Sequence, residues 1–381
     1  MGYRRQSPDF TGFVKTGTLC AIERAGKIKT ANQKSITIMT TVKTIEINGA
    51  EGGGQILRAA LSMSAALGIP FHIRNIRGKR EKAGLGRQHL SSVRAAAAIC
   101  GAEVTGAEMN STELTFVPGE VQVGSYRFDI GTGGSTALVL QAIVPALICS
   151  LKAGEKASVT VTGGTYCPFA PAFEFLKETL EPCLNRMGYP VTFTMPRPAF
   201  FQAAGGLVRM EAAGPFEPAP LEFRERGSLK SVSAVILNCH LPPEVAEREK
   251  KVLMRDFGDR LGLTEDAVTL DANPAIPEAG NAVLIRTGFE SGTSVFSEIG
   301  RPRLAAESVA KIAADEADVP VCRHLQDQLL VPMALAGGGH FVTTAPSAHT
   351  RTCAQVIQAF TGKPVHMDQQ KHGWLITVPS V

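Results

Sequence analysis

Two stretches of this chain place a proline in the middle of what otherwise reads as an apolar helix, and they do so in nearly the same words. Gln141-Ala-Ile-Val-Pro145-Ala-Leu is echoed by Gln328-Leu-Leu-Val-Pro332-Met-Ala-Leu. Proline inside a helix costs about 3 kcal/mol against alanine. Two prolines at matching places therefore point to copies of one structural unit. A glycine-rich turn marks the same unit. Gly49-Ala-Glu51-Gly-Gly-Gly54 ends a short strand at 44–47, and Asp129-Ile-Gly-Thr-Gly-Gly134 ends another. We read three repeats of a strand, a glycine turn and a helix.

The spacing locates an insertion. Gly54 and Gly134 are 80 residues apart, whereas Gln141 and Gln328 are 187 apart. The excess, about a hundred residues, is the size of a small domain. It is expected over 222–320, with strands at 232–237, 282–286 and 293–299 and helices at 243–261 and 304–314. The fold class is thus α/β (α+β), with catalytic-body segments 44–221 and 321–381 around an inserted small α/β domain at 222–320. In the first repeat, Ile56, Ala60, Met63 and Leu67 share one face of a helix over Gln55–Leu67, which Gly68 and Pro70 stop. Leu90, Val93, Ala97 and Cys100 do the same over Arg87–Cys100.

Composition excludes several classes. With 44% hydrophobic and 19% charged residues in 381, the chain can bury a large core and is not disordered. Its longest apolar run, 136–151, is too short for a membrane span and holds Gln141 and Pro145. The eight cysteines are scattered without a Cys-x-x-Cys pair, which reads as reduced thiols in a cytoplasmic protein. Residues 1–43 carry eight Lys or Arg against Asp9 and Glu23, while the remainder is slightly acidic. Net charge therefore argues for no nucleic-acid partner; a local basic patch would have to. The leader 1–43 shows no periodicity before Ile36 and is expected to be non-structural. It reads as a transit-like extension, a basic arm, or an upstream extension ahead of a start at Met39.

Three segments could carry chemistry. The turn Glu51-Gly-Gly-Gly-Gln55 offers bare amides at a helix start, either an anion site or simply close packing. No P-loop lysine follows, and Glu51 beside the amides suits a divalent cation that also binds phosphate. Arg74, Arg77, Lys79, Arg80, Lys82 and Arg87 fall within 14 residues with Glu81 the only acid. Interleaved glycines make this a loop, either a plain basic surface or a grip for polyphosphate or RNA backbone. His349, in Pro346-Ser-Ala-His349-Thr-Arg-Thr352, opens a helix; it is either a cap-like exposed residue or a nucleophile toward phosphorus. His324 and Asp327-Gln328 open the helix before it, where Asp327 could simply cap.

Taken together, the segments resemble the RNA 3'-terminal phosphate cyclase family over essentially 44–381. The matching runs are Gly49-Ala-Glu-Gly-Gly-Gly-Gln-Ile-Leu-Arg58, Ile76-Arg77-Gly-Lys-Arg80, Gly84-Leu-Gly-Arg-Gln88-His-Leu and Gly163-Gly-Thr-Tyr-Cys-Pro168. His324-Leu-Gln-Asp-Gln-Leu-Leu-Val-Pro332-Met-Ala-Leu-Ala and Pro346-Ser-Ala-His349-Thr-Arg-Thr complete them. The resemblance implies three tandem repeats with a small domain before the third. It also implies ATP-dependent conversion of an RNA 3'-phosphate to a 2',3'-cyclic phosphate through a covalent histidine–AMP.

By the same resemblance His349 is the nucleophile and Glu51 holds Mg or Mn. Arg58, Arg77, Arg80 and Gln88 bind phosphates or RNA, and Gln141, Pro168, His324, Leu325, Gln326, Asp327 and Gln328 form the ATP pocket. The partners are ATP and an RNA with a 3'-terminal phosphate, with no membrane; the oligomeric state stays open. The chain departs from the family in His324, commonly tyrosine, and in Tyr166-Cys167, commonly Asp-Asn. A non-catalytic relative acting in ribosomal RNA processing is the alternative, and would lack the histidine. An enolpyruvyl-type transferase, which would not need ATP or one histidine in this place, fits less well; so does a plain RNA-binding module, since aromatics are only 6% of the chain and none lies in 73–90.

Overall fold

In the computed structural model, which describes residues 22–28, 36–315, 321–371 and 373–381, three four-stranded sheets follow one plan. The first orders Ile45–Asn48, Phe71–Arg74, Leu114–Val117 and Glu103–Thr105 side by side. The second orders Ser125–Asp129, Lys156–Gly163, Gly206–Ala213 and Val191–Arg197, and the third Leu221–Phe223, Gly339–Thr343, Gly373–Val378 and His366–Gln370. In each, the first two strands are parallel and the remaining pairs antiparallel. A parallel pair needs a crossover. The helices Gln55–Leu67, Thr136–Cys149 and Arg323–Leu335 lie in those crossovers. The fold is α+β.

These three helices pack against one another at the centre of the molecule. Thr136–Cys149 is apolar nearly all round, as a helix buried on every side must be. Pro145 and Pro332 sit inside their helices, as their shared context predicted. Second helices return the chain in each repeat: Arg87–Cys100, residues 173–186, and Ala348–Thr361.

A fourth sheet, ordered Val268–Asp271, Leu229–Cys239, Gly280–Phe289 and Gly292–Ile299, lies in the inserted stretch. Tyr166, Phe200, Leu237, Ile276, Leu284 and Ile299 form a small core between it and the second repeat. Arg286 grips Glu178 with both its Nε and Nη2 at 2.8–3.0 Å, joining the same two parts. The insertion begins later than expected. Leu221–Phe223 pairs with Gly339–Thr343, so a boundary at 222 cuts a strand, and the inserted residues interrupt the third repeat after its first strand. Three residues with Leu221 and Phe223 inward and Glu222 outward are too short for alternation to register.

The leader also differs from its reading. Ile22–Ile28 pairs antiparallel with Ile36–Val42, with Met39 opposite Ala25, although no regular element was expected before Ile36. Ile22 and Ile28 flank a charged, glycine-containing middle, so the strand carries little apolar signal. The rest of the leader lies outside the described residues. Among the described residues, no helix is long and apolar enough to cross a membrane.

Candidate active site

The glycine turn before Gln55–Leu67 is where distant segments meet. Gly52 and Gly53 hold φ of +72° and +60°, a region that L side chains avoid. Space forbids a side chain as well. A Cβ on Gly52 would stand 2.5 Å from Thr352 Oγ1, and one on Gly53 3.2 Å from Arg80 Nη2. On Gly54 it would run into His89 Nε2 and lie 2.9 Å from Arg58 Nη1. The turn thus brings the basic loop, the second helix of repeat one and the helix Ala348–Thr361 to one point.

His349 stands in the first turn of that last helix. Ser347 is its N-cap, its Oγ accepting from Thr350 N–H at 3.0 Å. One turn on, the Thr352 hydroxyl donates to the carbonyls of Ala348 and His349 at 3.0 Å each. His349 is exposed at the rim, yet flanked closely enough that desolvation lowers its pKa, with the charges of Arg58 and Arg80 adding to the effect. The imidazole is neutral at pH 7. His324, half-buried nearby, is brought down to about 4 by burial, then by Arg323 and His349.

Below this rim lies a cavity between the three central helices, lined by Arg58, Gln141, Pro145, Asp327, Gln328 and Pro332 among others. Arg58 is buried, its Nε donating to Gln141 Oε1 at 3.0 Å and its Nη2 to Gln55 Oε1 at 2.8 Å. Burial lowers its pKa to about 10, against the opposing pull of Asp327. Burial likewise pushes the Asp327 carboxyl up to about 7, although Arg58 and Gln141 favour its charged form. Arg58 stays a cation at neutral pH, Asp327 is brought into titrating range by desolvation, and the two meet in a cavity whose other walls are mostly apolar.

The expected residues divide. Arg58, Gln141, Asp327 and Gln328 come together at the cavity, and Arg80 and His349 at the glycine turn above it. Arg77 holds the basic loop, its Nη1 donating to Gly84 O at 2.9 Å from a backbone with φ +54°. Glu51 is paired with Lys79. Gln88 spends its carbonyl on a neighbour: Oε1 accepts from Ser135 N–H at 2.9 Å, joining the first repeat to the start of the second repeat's helix. Pro168 is half-buried in the loop after Lys156–Gly163.

Two of the expected residues do not line the cavity. Leu325 is packed into the core at 1% exposure, and Gln326 is fully buried with its amide bonded to Thr343, Thr344, Ser347 and Thr350. Neither side chain faces the cavity, because consecutive helical residues point about 100° apart. One residue was missed. His89 packs on Gly54 and accepts at Nδ1 from Gly86 N–H at 3.2 Å. Burial, then Arg58 and Arg77, lowers its pKa to about 3. Its place directly after Gln88 in a matching run was the signal available.

A model of the RNA 3'-terminal phosphate cyclase family matches residues 49–367. This chain belongs to the RNA 3'-terminal phosphate cyclase family. It is 44% identical over 323 residues to the RNA 3'-terminal phosphate cyclase of Pseudomonas fluorescens, covering 83% of this chain and 92% of that protein. It is 42% identical over 316 residues to the protein of the same name from Koribacter versatilis (81% and 87% covered). Against the one from Ectopseudomonas mendocina it is 42% identical over 325 residues (83% and 92%). Every residue of the site described above falls inside the part matched by the cyclase family model.

Proposed function

We propose that the protein converts an RNA 3'-terminal phosphate to a 2',3'-cyclic phosphate at the expense of ATP, with His349 as the nucleophile. The observation that carries this reading is a neutral histidine in the first turn of a helix, packed through Thr352 onto a glycine turn where Arg80 and Arg58 converge. The neutral imidazole attacks the α-phosphorus of ATP, the bond to the β-phosphate breaks, and pyrophosphate leaves. An oxygen of the RNA 3'-phosphate then takes the adenylyl group and frees the histidine. The neighbouring 2'-hydroxyl attacks the activated phosphorus, loses its proton and expels AMP.

Both substrates are anionic, and Arg58, Arg77 and Arg80 supply the compensating charge. The adenosine end is expected among Gln141, Pro168, His324, Asp327 and Gln328. The reading rests equally on membership of the cyclase family. Free cysteines throughout the described residues suit a reducing cytoplasm.

Among the described residues, no three His, Cys, Asp or Glu side chains gather as a metal cage. A lone carboxylate with phosphate oxygens and water completing the shell is the usual arrangement for Mg²⁺, so Glu51 fits a Mg or Mn ion that arrives with the triphosphate. Such an ion would neutralise phosphate charge, and Lys79 would have to yield its place on Glu51.

The test is label transfer. Incubated with α-labelled ATP, the wild type should acquire acid-labile label, His349→Ala and His349→Asn none, and the exposed His366→Ala as much as the wild type. Label persisting in both His349 variants would remove the assignment. No label in the wild type would favour a non-catalytic role in RNA processing.

A further inference from the structure

In each repeat the second strand enters the second helix through one loop: residues 75–86, 164–172 and 344–347. The first of these loops carries Arg77 and Arg80, and the third leads into His349. The middle one is fastened at the same end of the molecule. Gly164 N–H donates to Gly134 O at 2.8 Å, and Cys167 Sγ–H donates to Gly133 O at 3.2 Å. The adjoining Ser135 N–H is held by Gln88, from the helix that the basic loop leads into.

At the tip of this middle loop is Phe169, 79% exposed and with φ +63°. Among the described residues the other large exposed apolar side chains reach at most 47%, and none is aromatic. A bulky residue at positive φ is a genuine outlier, so its ring is presented to solvent by an unusual backbone. One face of the ring is covered. The guanidinium carbon of Arg301 stands 4.5 Å from the ring centroid, and Arg301 is held in turn by Glu298. Arg301 follows the strand Gly292–Ile299, so the inserted part supplies one half of the pair and the second repeat the other.

We propose that Phe169, backed by Arg301, is a stacking platform for a nucleobase of the RNA close to its 3' end. The inference rests on the cyclase reading and adds to it a contact with the RNA chain. An aromatic face accepts any base, and a cation on the far side of the ring strengthens its pull on the π-system's partner. The absence of walls decides between RNA and ATP. A free nucleotide is normally enclosed on several sides. A polymer gripped along its backbone by a neighbouring basic loop needs only an open platform.

The experiment uses RNA oligonucleotides with a 3'-phosphate and 2-aminopurine at the last or next-to-last position, mixed with enzyme in the absence of ATP. Stacking should quench the fluorescence with the wild type and with Phe169→Trp, but not with Phe169→Ala. In steady state, Phe169→Ala should lose roughly ten- to a hundredfold in kcat/KM for RNA, with Phe169→Trp restoring most of it. Equal quenching and equal kcat/KM in Phe169→Ala would overturn the proposal. So would a raised KM for ATP with RNA binding unchanged, which would put the adenine of ATP on the ring. Because the quenching assay needs neither ATP nor turnover, it reads the platform even if the adenylation chemistry proves to be different.

Discussion

Replacing Gln326 by leucine should destabilise the protein by about 4 kcal/mol and slow chemistry at His349, while leaving the KM for ATP near its original value. The Gln326 amide is fully buried. Its Nε2 donates to Thr343 Oγ1 at 2.7 Å and Thr344 Oγ1 at 3.2 Å. Its Oε1 accepts from Ser347 N–H at 3.1 Å and from the Thr350 hydroxyl at 2.9 Å. Leucine fills a similar volume and removes all four bonds. Thr343 keeps its bond to Val321 O at 2.6 Å, and Thr350 Oγ1 keeps Ser347 Oγ at 2.8 Å. Ser347 N–H is left without its partner. An orphaned buried donor costs about 1–3 kcal/mol, and a lost bond whose partner re-pairs costs about 0.5–1.5 kcal/mol. One of the first and two of the second come to about 4 kcal/mol.

The effect should reach the active site because Ser347 caps the helix that carries His349. Guanidinium unfolding measures the stability, and single-turnover labelling with α-labelled ATP measures the chemistry. We expect an earlier midpoint and at least a roughly tenfold slower labelling rate, in line with a misplaced nucleophile. A variant as stable as the wild type but with a much higher KM for ATP would refute the reasoning and return Gln326 to the nucleotide.

Arg77→Ala and Arg80→Ala should each reduce activity about a hundredfold, or about 3 kcal/mol of lost electrostatic stabilisation. Arg74→Ala, an exposed residue paired only loosely with Glu46 at 3.7 Å, should cost little; near-equal losses at all three positions would mean a diffuse basic surface. Burial pushes the Asp327 carboxyl from the ordinary 3.8 up to about 7 in the folded protein, so the folded state keeps a proton that the unfolded state releases. Its contribution to stability should therefore fall as pH rises from about 4 to about 7. Asp327→Asn should lose that slope, as chemical denaturation at pH 5 and pH 8 would report; an unchanged slope would count against a buried titrating carboxyl.

Much of the fold could be read from a few residues, because its grammar is local. Gly68 and Pro70 end a helix wherever they stand, and Pro145 and Pro332 announce one another. The site was legible only in part. The five residues 324–328 read as one pocket wall, although a helix can turn only some of five consecutive side chains to one side. Asp327 and Gln328 line the cavity, whereas Leu325 and Gln326 do not. Gln88 shows a second limit. Sequence can nominate an amide, but not reveal that its oxygen is already spent on Ser135 N–H. His89 was overlooked for a related reason: only the fold presses its ring onto Gly54. Leu221–Phe223 was too short to show alternation, and only pairing with Gly339–Thr343 identifies it as a strand.

The arginines have a second consequence, which can be tested apart from phosphate binding. A histidine attacks phosphorus only as the neutral imidazole, and near pH 6.5 an unperturbed one is half protonated. Desolvation first, then Arg58 and Arg80, lowers the pKa of His349. The groups that would hold phosphate thus also keep the proposed nucleophile deprotonated before phosphate arrives. An NMR titration of the free enzyme, with the His349 ring assigned by its loss in His349→Asn, should place its midpoint below 6.5. In Arg80→Ala one of the two repelling charges is gone, so the midpoint should rise toward the unperturbed value. Arg74→Ala removes a cation that is not among the causes of the shift, and should leave the midpoint where it was. ATP must be absent, because its phosphates would offset the guanidinium charges and move the ring the other way. If Arg80→Ala loses activity but leaves the titration of His349 untouched, Arg80 acts on phosphate alone, and desolvation with Arg58 must suffice to keep the imidazole neutral.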